Sequence, residues 1–294
     1  MLKIRTDLAV EAHALWQENA EKTTKLPGVR ARDEELNSYP VHRVEILDRD
    51  GERALGKRQG TYLTLDFSPL RRGDSEAFER AADALAQLLR PLLPEEGAVL
   101  VAGIGNRRMT PDALGPLTLE HLLVTRHLGE VLPDFRPVAA IGAGVLGTTG
   151  MEVAEWVRGA AQRIRPAAVV LVDALAARSL DRLCTTVQIA DSGLVPGSGV
   201  GNHRKALARD TLGVPVISVG VPTVVDAATL AMDLVGACGG EIDRAALPQE
   251  GRNLFVTPDS IDAKIADTAK LIGYGLNLAL QPQLEFSDLA ALVE

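Results

Sequence analysis

The sequence predicts an α/β protein: a three-layer, largely parallel sheet with helices on both faces, plus a small N-terminal β element. Two observations carry that expectation. From Gly97 onward, continuous apolar runs (Ala98–Ala102, Pro137–Ile141, Ala168–Val172, Thr185–Ile189, Val214–Val219) are separated by turn residues and amphipathic stretches. Apolar runs without alternation read as strands covered on both faces, as in a parallel sheet under helices. Aromatic residues are only 3% of a chain that is 46% hydrophobic, so the core must be built from Val, Leu, Ile and Ala.

Taken in order, Thr6–Lys22 places Leu8, Ala12, Leu15 and Trp16 at helical spacing. Leu26–Pro40 is rich in charge and poor in pattern and reads as a polar link. Val41–Leu47 alternates, Asp48-Arg49-Asp50-Gly51 reads as a turn, and Gly60–Phe67 is a second β stretch. This is the small β element, about residues 41–67. Ser75–Leu93 is an amphipathic helix closed by Pro91 and Pro94. In the α/β part the expected helices are Pro111–Leu128, Glu152–Arg163, Asp226–Cys238 and Pro258–Leu280. A chain of 294 residues is long enough for one large domain.

Composition removes several function classes. A net charge of −8 argues against a nucleic-acid surface, which needs clustered Lys and Arg. No apolar run reaches the roughly 18 residues that span a bilayer, and MLKIRTDLAVEAHALW has no signal-peptide pattern. Cys184 and Cys238 stand in no metal-like spacing, which fits a reducing, cytoplasmic setting. His13, His42, His121, His127 and His203 form no ligand pair, so neither a metal nor another cofactor is expected. No G-x-S-x-G elbow is present. Gly103-Ile104-Gly105 fails as a dinucleotide loop because Arg108 stands where the third glycine belongs. Pro196–Asn202 (PGSGVGN), followed by His203-Arg204-Lys205, is no phosphate loop; it reads as a surface loop or a substrate flap with a cationic flank. Asp191-Ser192-Gly193 matches the local pattern of pepsin-like proteases, but the α/β texture does not suit that class.

Carboxylates remain as candidate catalysts. In open parallel sheets, sites form at the carboxyl ends of strands. Asp112, in Thr110-Pro111-Asp112, and Asp173, ending a run of β-branched residues, both fall there. Asp112 also fits an ordinary helix start, and Thr257-Pro258-Asp259 repeats that pattern with no chemistry implied. Two neighbouring carboxylates push their proton affinities apart, leaving one ionised as base and one protonated as acid. A helix N-terminus beside Asp112 favours its charged form and makes it the base, with Asp173 the acid.

Several stretches resemble one family, the germination proteases of spore-forming bacteria. They are RTDLAVEA (5–12), Gly103–Pro116, Leu123–His127, Val172–Ser179, Asp191–Asn202 and Gly213–Asp226. The C-terminal portion matches loosely and looks short for the family. The resemblance implies a homotetrameric, self-processing zymogen of an atypical aspartic endopeptidase that degrades small acid-soluble spore proteins in the spore core. It puts the catalytic aspartates at Asp112 and Asp173, and it implies the α/β (phosphorylase/hydrolase-like) fold of hydrogenase maturation proteases. A metal-dependent endopeptidase of that second kind is the alternative, although its nickel-binding histidine has no evident counterpart here. Family substrates are cut after an acid and before a large apolar residue, a pattern mimicked by Asp7-Leu8-Ala9-Val10-Glu11. Self-cleavage is therefore expected between Asp7 and Leu8, making residues 1–7 a propeptide and 8–294 the protease domain. Acidic substrates call for cationic subsites, and Arg107, Arg108, Arg178, Arg204 and Lys205 are the candidates in or beside the matched loops.

Overall fold

The computed structural model describes residues 6–19, 26–198, 204–240 and 254–293. In chain order its elements are α1 (Ala9–Asn19), β1 (Val29–Leu36), β2 (Tyr39–Ile46), α2 (Arg49–Leu55), β3 (Gly60–Asp66) and α3 (Ser75–Leu89). Then follow β4 (Val99–Ile104), α4 (Leu114–Glu120), β5 (Val138–Gly144), α5 (Leu146–Thr149), α6 (Val153–Ile164), β6 (Ala168–Ala177) and β7 (Thr186–Ala190). The last group is α7 (Arg209–Leu212), β8 (Val216–Asp226), α8 (Ala227–Ala237), β9 (Phe255–Val256), α9 (Ile261–Leu280) and α10 (Phe286–Val293).

Among the described residues the strands form one sheet in the order β1-β2-β3-β7-β8-β6-β4-β5, with β9 added beside β8. Its two halves differ. β5, β4, β6 and β8 pair in parallel, and these are the runs that the sequence shows as continuously apolar. From β8 outward through β7, β3, β2 and β1 every pairing is antiparallel. The molecule is thus α/β, with a mixed sheet whose parallel half opens its carboxyl ends toward one rim.

Residue alternation along the strands assigns the layers. Val99, Val101, Val170 and Val172 face α3, α4 and α9 in a core with Leu85, Leu89, Leu114 and Ile272. Leu100, Ala102, Val169 and Leu171 face the other way, onto α6 through Val153 and Val157. A smaller cluster on that second side joins Ala9 and Trp16 of α1 to Val44, Ile46 and Tyr62.

The β element is not a separate piece. β3 pairs with β7, so β1–β3 extend the main sheet. Leu26–Pro40 is not a plain link, because β1 runs through it with six consecutive exposed residues. The sequence hides that strand because an edge strand exposed on both faces carries no apolar alternation. Asp48 opens α2, its side chain accepting from the N–H groups of Asp50 and Gly51, where only a turn was expected. The helix expected over 111–128 is cut short: α4 begins at Leu114 and stops at Glu120. There the buried Asn277 accepts from Leu123 N–H at 2.9 Å and donates to the His121 carbonyl at 2.8 Å, satisfying the groups that a helix end leaves open. β6 and β8 also run several residues longer than their apolar cores suggest.

Candidate active site

Asp112 and Asp173 come together through glycines at the carboxyl end of the parallel strands. β4 leaves the sheet through Gly105, which has φ +122°, and a Cβ there would lie 2.0 Å from the Asp112 carbonyl oxygen. Only glycine lets the chain turn so closely against Asp112. Gly115, in the first turn of α4, would place a Cβ 2.3 Å from the Ile104 carbonyl and 2.5 Å from that of Val172. The segment carrying Asp112 is therefore pressed onto the ends of both β4 and β6. The glycines that failed as a nucleotide loop serve this close packing.

Asp112 does not cap α4, which has no side-chain cap. Its Oδ2 instead accepts from the Asn106 N–H at 2.8 Å. Burial raises its pKa above the ordinary carboxylate value, opposed by that hydrogen bond. The expected helix-terminus effect is thus not what sets its charge. Asp173 is buried in β6, opposite Gly220 of β8, and its Oδ1 accepts from Ala174 N–H at 2.9 Å. Its pKa is driven well above the usual value, first by burial, then by the charges of Asp112 and Asp7. Burial acts on both carboxyl groups, and Asp173 is the more deeply buried of the two.

Another carboxylate at the end of β6 belongs to the N-terminal segment. Asp7 lies against the end of β6, its N–H donating to the Ala176 carbonyl at 2.8 Å. Its own carboxylate accepts from Ala176 N–H at 2.9 Å and from Ser198 Oγ at 2.7 Å. Its carbonyl accepts from Gln188 Nε2 at 3.1 Å, and Gln188 Oε1 accepts from Ala9 N–H at 2.7 Å. Leu8 is fully buried among Leu175, Ala177, Leu183 and Val225. Glu11 accepts from Arg178 N–H at 2.7 Å and Ser179 N–H at 3.0 Å, and also from the Thr6 hydroxyl. Lys57 Nζ donates to the Thr6 carbonyl at 3.2 Å. Burial pulls the ammonium's pKa down, while Asp7 and Glu11 pull it up.

Of the cations named from sequence, only Arg178 touches this segment, and none of their side chains pairs with Asp7, Glu11, Asp112 or Asp173 among the described contacts. Arg107 pairs with Glu120 at 2.9 Å, and Arg108 and Lys205 are exposed. The Arg178 guanidinium bridges Glu18 of α1 at 3.1 Å and Asp233 of α8 at 3.2 Å; only its backbone N–H meets Glu11. Arg204 approaches Glu152 at 4.0 Å. His203 and the later part of the Pro196–Asn202 loop lie outside the described residues. Asp191-Ser192-Gly193 ties β3 to the chain after β7. Asp191 accepts from Thr61 N–H at 2.7 Å and Ser192 Oγ bonds the Tyr62 hydroxyl at 2.9 Å, far from a protease dyad in role.

Sequence reasoning missed Gln188, Lys57 and Ser198. Gln188 had a signal, a lone amide in the apolar run Thr186–Ala190. Lys57 sits in an ordinary charged loop and gave none. Among the described residues no group of three His, Cys, Asp or Glu side chains could hold a metal ion.

The germination protease family model matches residues 9–245 of the chain. The chain belongs to the germination protease family. A germination protease of Caldanaerobacter subterraneus subsp. tengcongensis is 41% identical over 325 aligned positions, covering 100% of this chain and 99% of the relative. That of Clostridium acetobutylicum is also 41% identical, over 98% of each chain. Membership makes this chain a peptidase associated with spore germination. Among solved structures, a [NiFe] hydrogenase maturation protease from Thermococcus kodakarensis is 19% identical, covering 64% of this chain and 98% of its own, with a TM-score of 0.37. That superposition is too loose to carry a functional argument. No helix among the described residues is long and apolar enough to cross a membrane.

Proposed function

We propose that this germination-family peptidase is an aspartic-type endopeptidase zymogen that cuts its own chain between Asp7 and Leu8 and, once cut, degrades small acid-soluble spore proteins in the spore core. The observation that supports the reading is the docking of residues 6–11 along the end of β6, the strand that carries Asp173. Asp7 is bonded through its N–H and its carboxylate to Ala176, three residues beyond Asp173, and the charges of Asp112 and Asp7 add to the burial that raises the pKa of Asp173. Asp112, in the role of base, takes a proton from water, and the water oxygen attacks the Asp7 carbonyl carbon. Protonated Asp173 supplies the proton for the leaving Leu8 nitrogen. The pair titrates as a unit.

The contacts of residues 6–11 also fit the substrate class. An acid is held by N–H and hydroxyl donors at Asp7, a large apolar side chain fills the pocket at Leu8, and a second acid is held at Glu11. Arg107, Arg108, Arg178, Arg204 and Lys205 would act at longer range, as a cationic surround for acidic chains. A homotetramer is carried over from the family resemblance alone.

The test is intact mass of the wild type and Asp112→Asn, before and after mild acidification, with and without chelator. Loss of Met1–Asp7 from the wild type alone, unaffected by chelator, is the expected result. Cleavage abolished by chelator would transfer the reading to the metal-dependent class, and equal cleavage of both proteins would remove Asp112 from the mechanism.

A further inference from the structure

Gln188 does something in this site that the aspartate pair does not account for. It is buried in β7, where its neighbours Val187 and Ile189 are buried too. An amide in such a strand costs free energy unless both of its ends are hydrogen-bonded. Both ends are, and both partners belong to the N-terminal segment: Nε2 donates to the Asp7 carbonyl at 3.1 Å and Oε1 accepts from Ala9 N–H at 2.7 Å. The chemistry of the partners fixes the amide's orientation, because a backbone N–H only donates and a carbonyl only accepts. The NH₂ group therefore faces the carbonyl oxygen of the Asp7–Leu8 peptide bond.

Strand register puts this donor across from the carboxylates. Gln188 pairs with Gly220, and Gly220 pairs with Asp173, so the three form one row across β7, β8 and β6. Paired residues share a face of the sheet, and two strand spacings separate the ends of the row by about 10 Å. Asp7 is bonded to Ala176 of β6, three residues beyond Asp173, through its N–H and to Gln188 of β7 through its carbonyl. The carbonyl of the bond to be cut is thus held by an amide donor that shares its face of the sheet with Asp173.

We propose that Gln188 is a catalytic residue of this peptidase, its Nε2–H holding the oxygen of the scissile carbonyl through the tetrahedral stage. The proposal rests on the reading of Asp7–Leu8 as the bond cut by Asp112 and Asp173. As the water oxygen bonds to the Asp7 carbonyl carbon, the π pair moves onto the carbonyl oxygen and one water proton moves to Asp112. The hydrogen bond from Gln188 then meets a full negative charge, and it strengthens where the barrier is highest. Collapse reforms the carbonyl and breaks the C–N bond, and Leu8 nitrogen takes the proton of Asp173. The second water proton stays with the new carboxyl group, and the proton on Asp112 restores Asp173. Gln188 Oε1 meanwhile fixes the Ala9 N–H on the leaving side, which stops the bond from rotating away from the donor. Once residues 1–7 depart, the same NH₂ group is free for the carbonyl of a substrate chain.

The test compares the first-order self-cleavage rate of the full chain, read by intact mass, in the wild type, Asp112→Asn, Gln188→Met and Gln188→Glu. Hydrogen exchange of the amides from Leu8 to Glu11 reports docking of the segment, and thermal melts report the fold. Gln188→Met removes the donor at nearly constant length; Gln188→Glu keeps an acceptor for Ala9 N–H, so it retains the docking contact. The expected result is a rate lower by about 10²–10³-fold in both, the usual effect of losing one oxyanion donor, with Gln188→Glu keeping its exchange protection. A folded Gln188→Met that cleaves within threefold of the wild type would overturn the assignment. So would a rate that falls only in step with lost protection, since Gln188 would then be an anchor alone. Absence of cleavage at Asp7–Leu8 in the wild type is seen in that sample by itself and would sink the reading of the bond, and this assignment with it.

Discussion

Replacing Asp173 by Asn is expected to abolish cleavage and yet stabilise the protein at neutral pH. Asp173 is 5% exposed, and its one hydrogen bond, from Ala174 N–H, is to an oxygen that asparagine also has. What asparagine lacks is the charge, which burial, Asp112 and Asp7 all oppose. Because the folded chain binds this proton more tightly than the unfolded chain, the group's contribution to stability is fully present below the unfolded pKa of about 4 and is lost as pH rises toward the raised folded value. Across that window the wild type loses about 1.4 kcal/mol per pH unit relative to the variant. Each kcal/mol corresponds to about 2 °C in Tm for a chain of this size. The assay is a series of melts between pH 4 and 8 on both proteins, each shown by mass to be uncut. A Tm difference that widens with pH in favour of Asp173→Asn is expected. A constant difference, or one that moves against the variant as pH rises, would refute the buried, proton-binding Asp173.

Two further outcomes follow from packing. Gly105→Ala places a Cβ 2.0 Å from the Asp112 carbonyl at φ +122°, so it should cost about 2 kcal/mol or more and displace Asp112; a lowered urea midpoint together with lost self-cleavage checks this. Leu8→Ala empties a fully buried site, and by the usual cost of such truncations the docked segment loses about 2–5 kcal/mol; hydrogen exchange should then show faster opening of Leu8–Glu11 while the β4 and β6 amides are unchanged.

The parallel half of the sheet was legible because double-sided burial writes itself as runs such as Ala168–Val172. β1 was not, since an exposed edge strand is held by backbone bonds to β2, to which side chains contribute no pattern. The stop after Glu120 was equally hidden, because its cause is Asn277, far along the chain. At the site, Asp112 and Asp173 stood out as acids at strand ends. The donors to the acids of segment 6–11 did not: Ala176, Arg178 and Ser179 act through backbone N–H groups, which any residue could supply. Charge complementarity pointed to arginine side chains, whereas the fold meets Asp7 and Glu11 mainly with main-chain dipoles, Ser198 and Lys57.

The burial of Leu8 has a consequence for what happens after a cut there. Its N–H is now an uncharged amide donating to Thr6 Oγ1 at 3.0 Å. Hydrolysis turns that nitrogen into an α-amine, whose ordinary pKa is about 7.7–8.0, and removes Thr6 along with the rest of residues 1–7. An ammonium is then left at the mouth of an apolar pocket without its former partner, and such a charge is driven toward water. A cut after Asp7 would thereby also loosen the new end from the cleft, so that the proposed step would itself begin to empty the site.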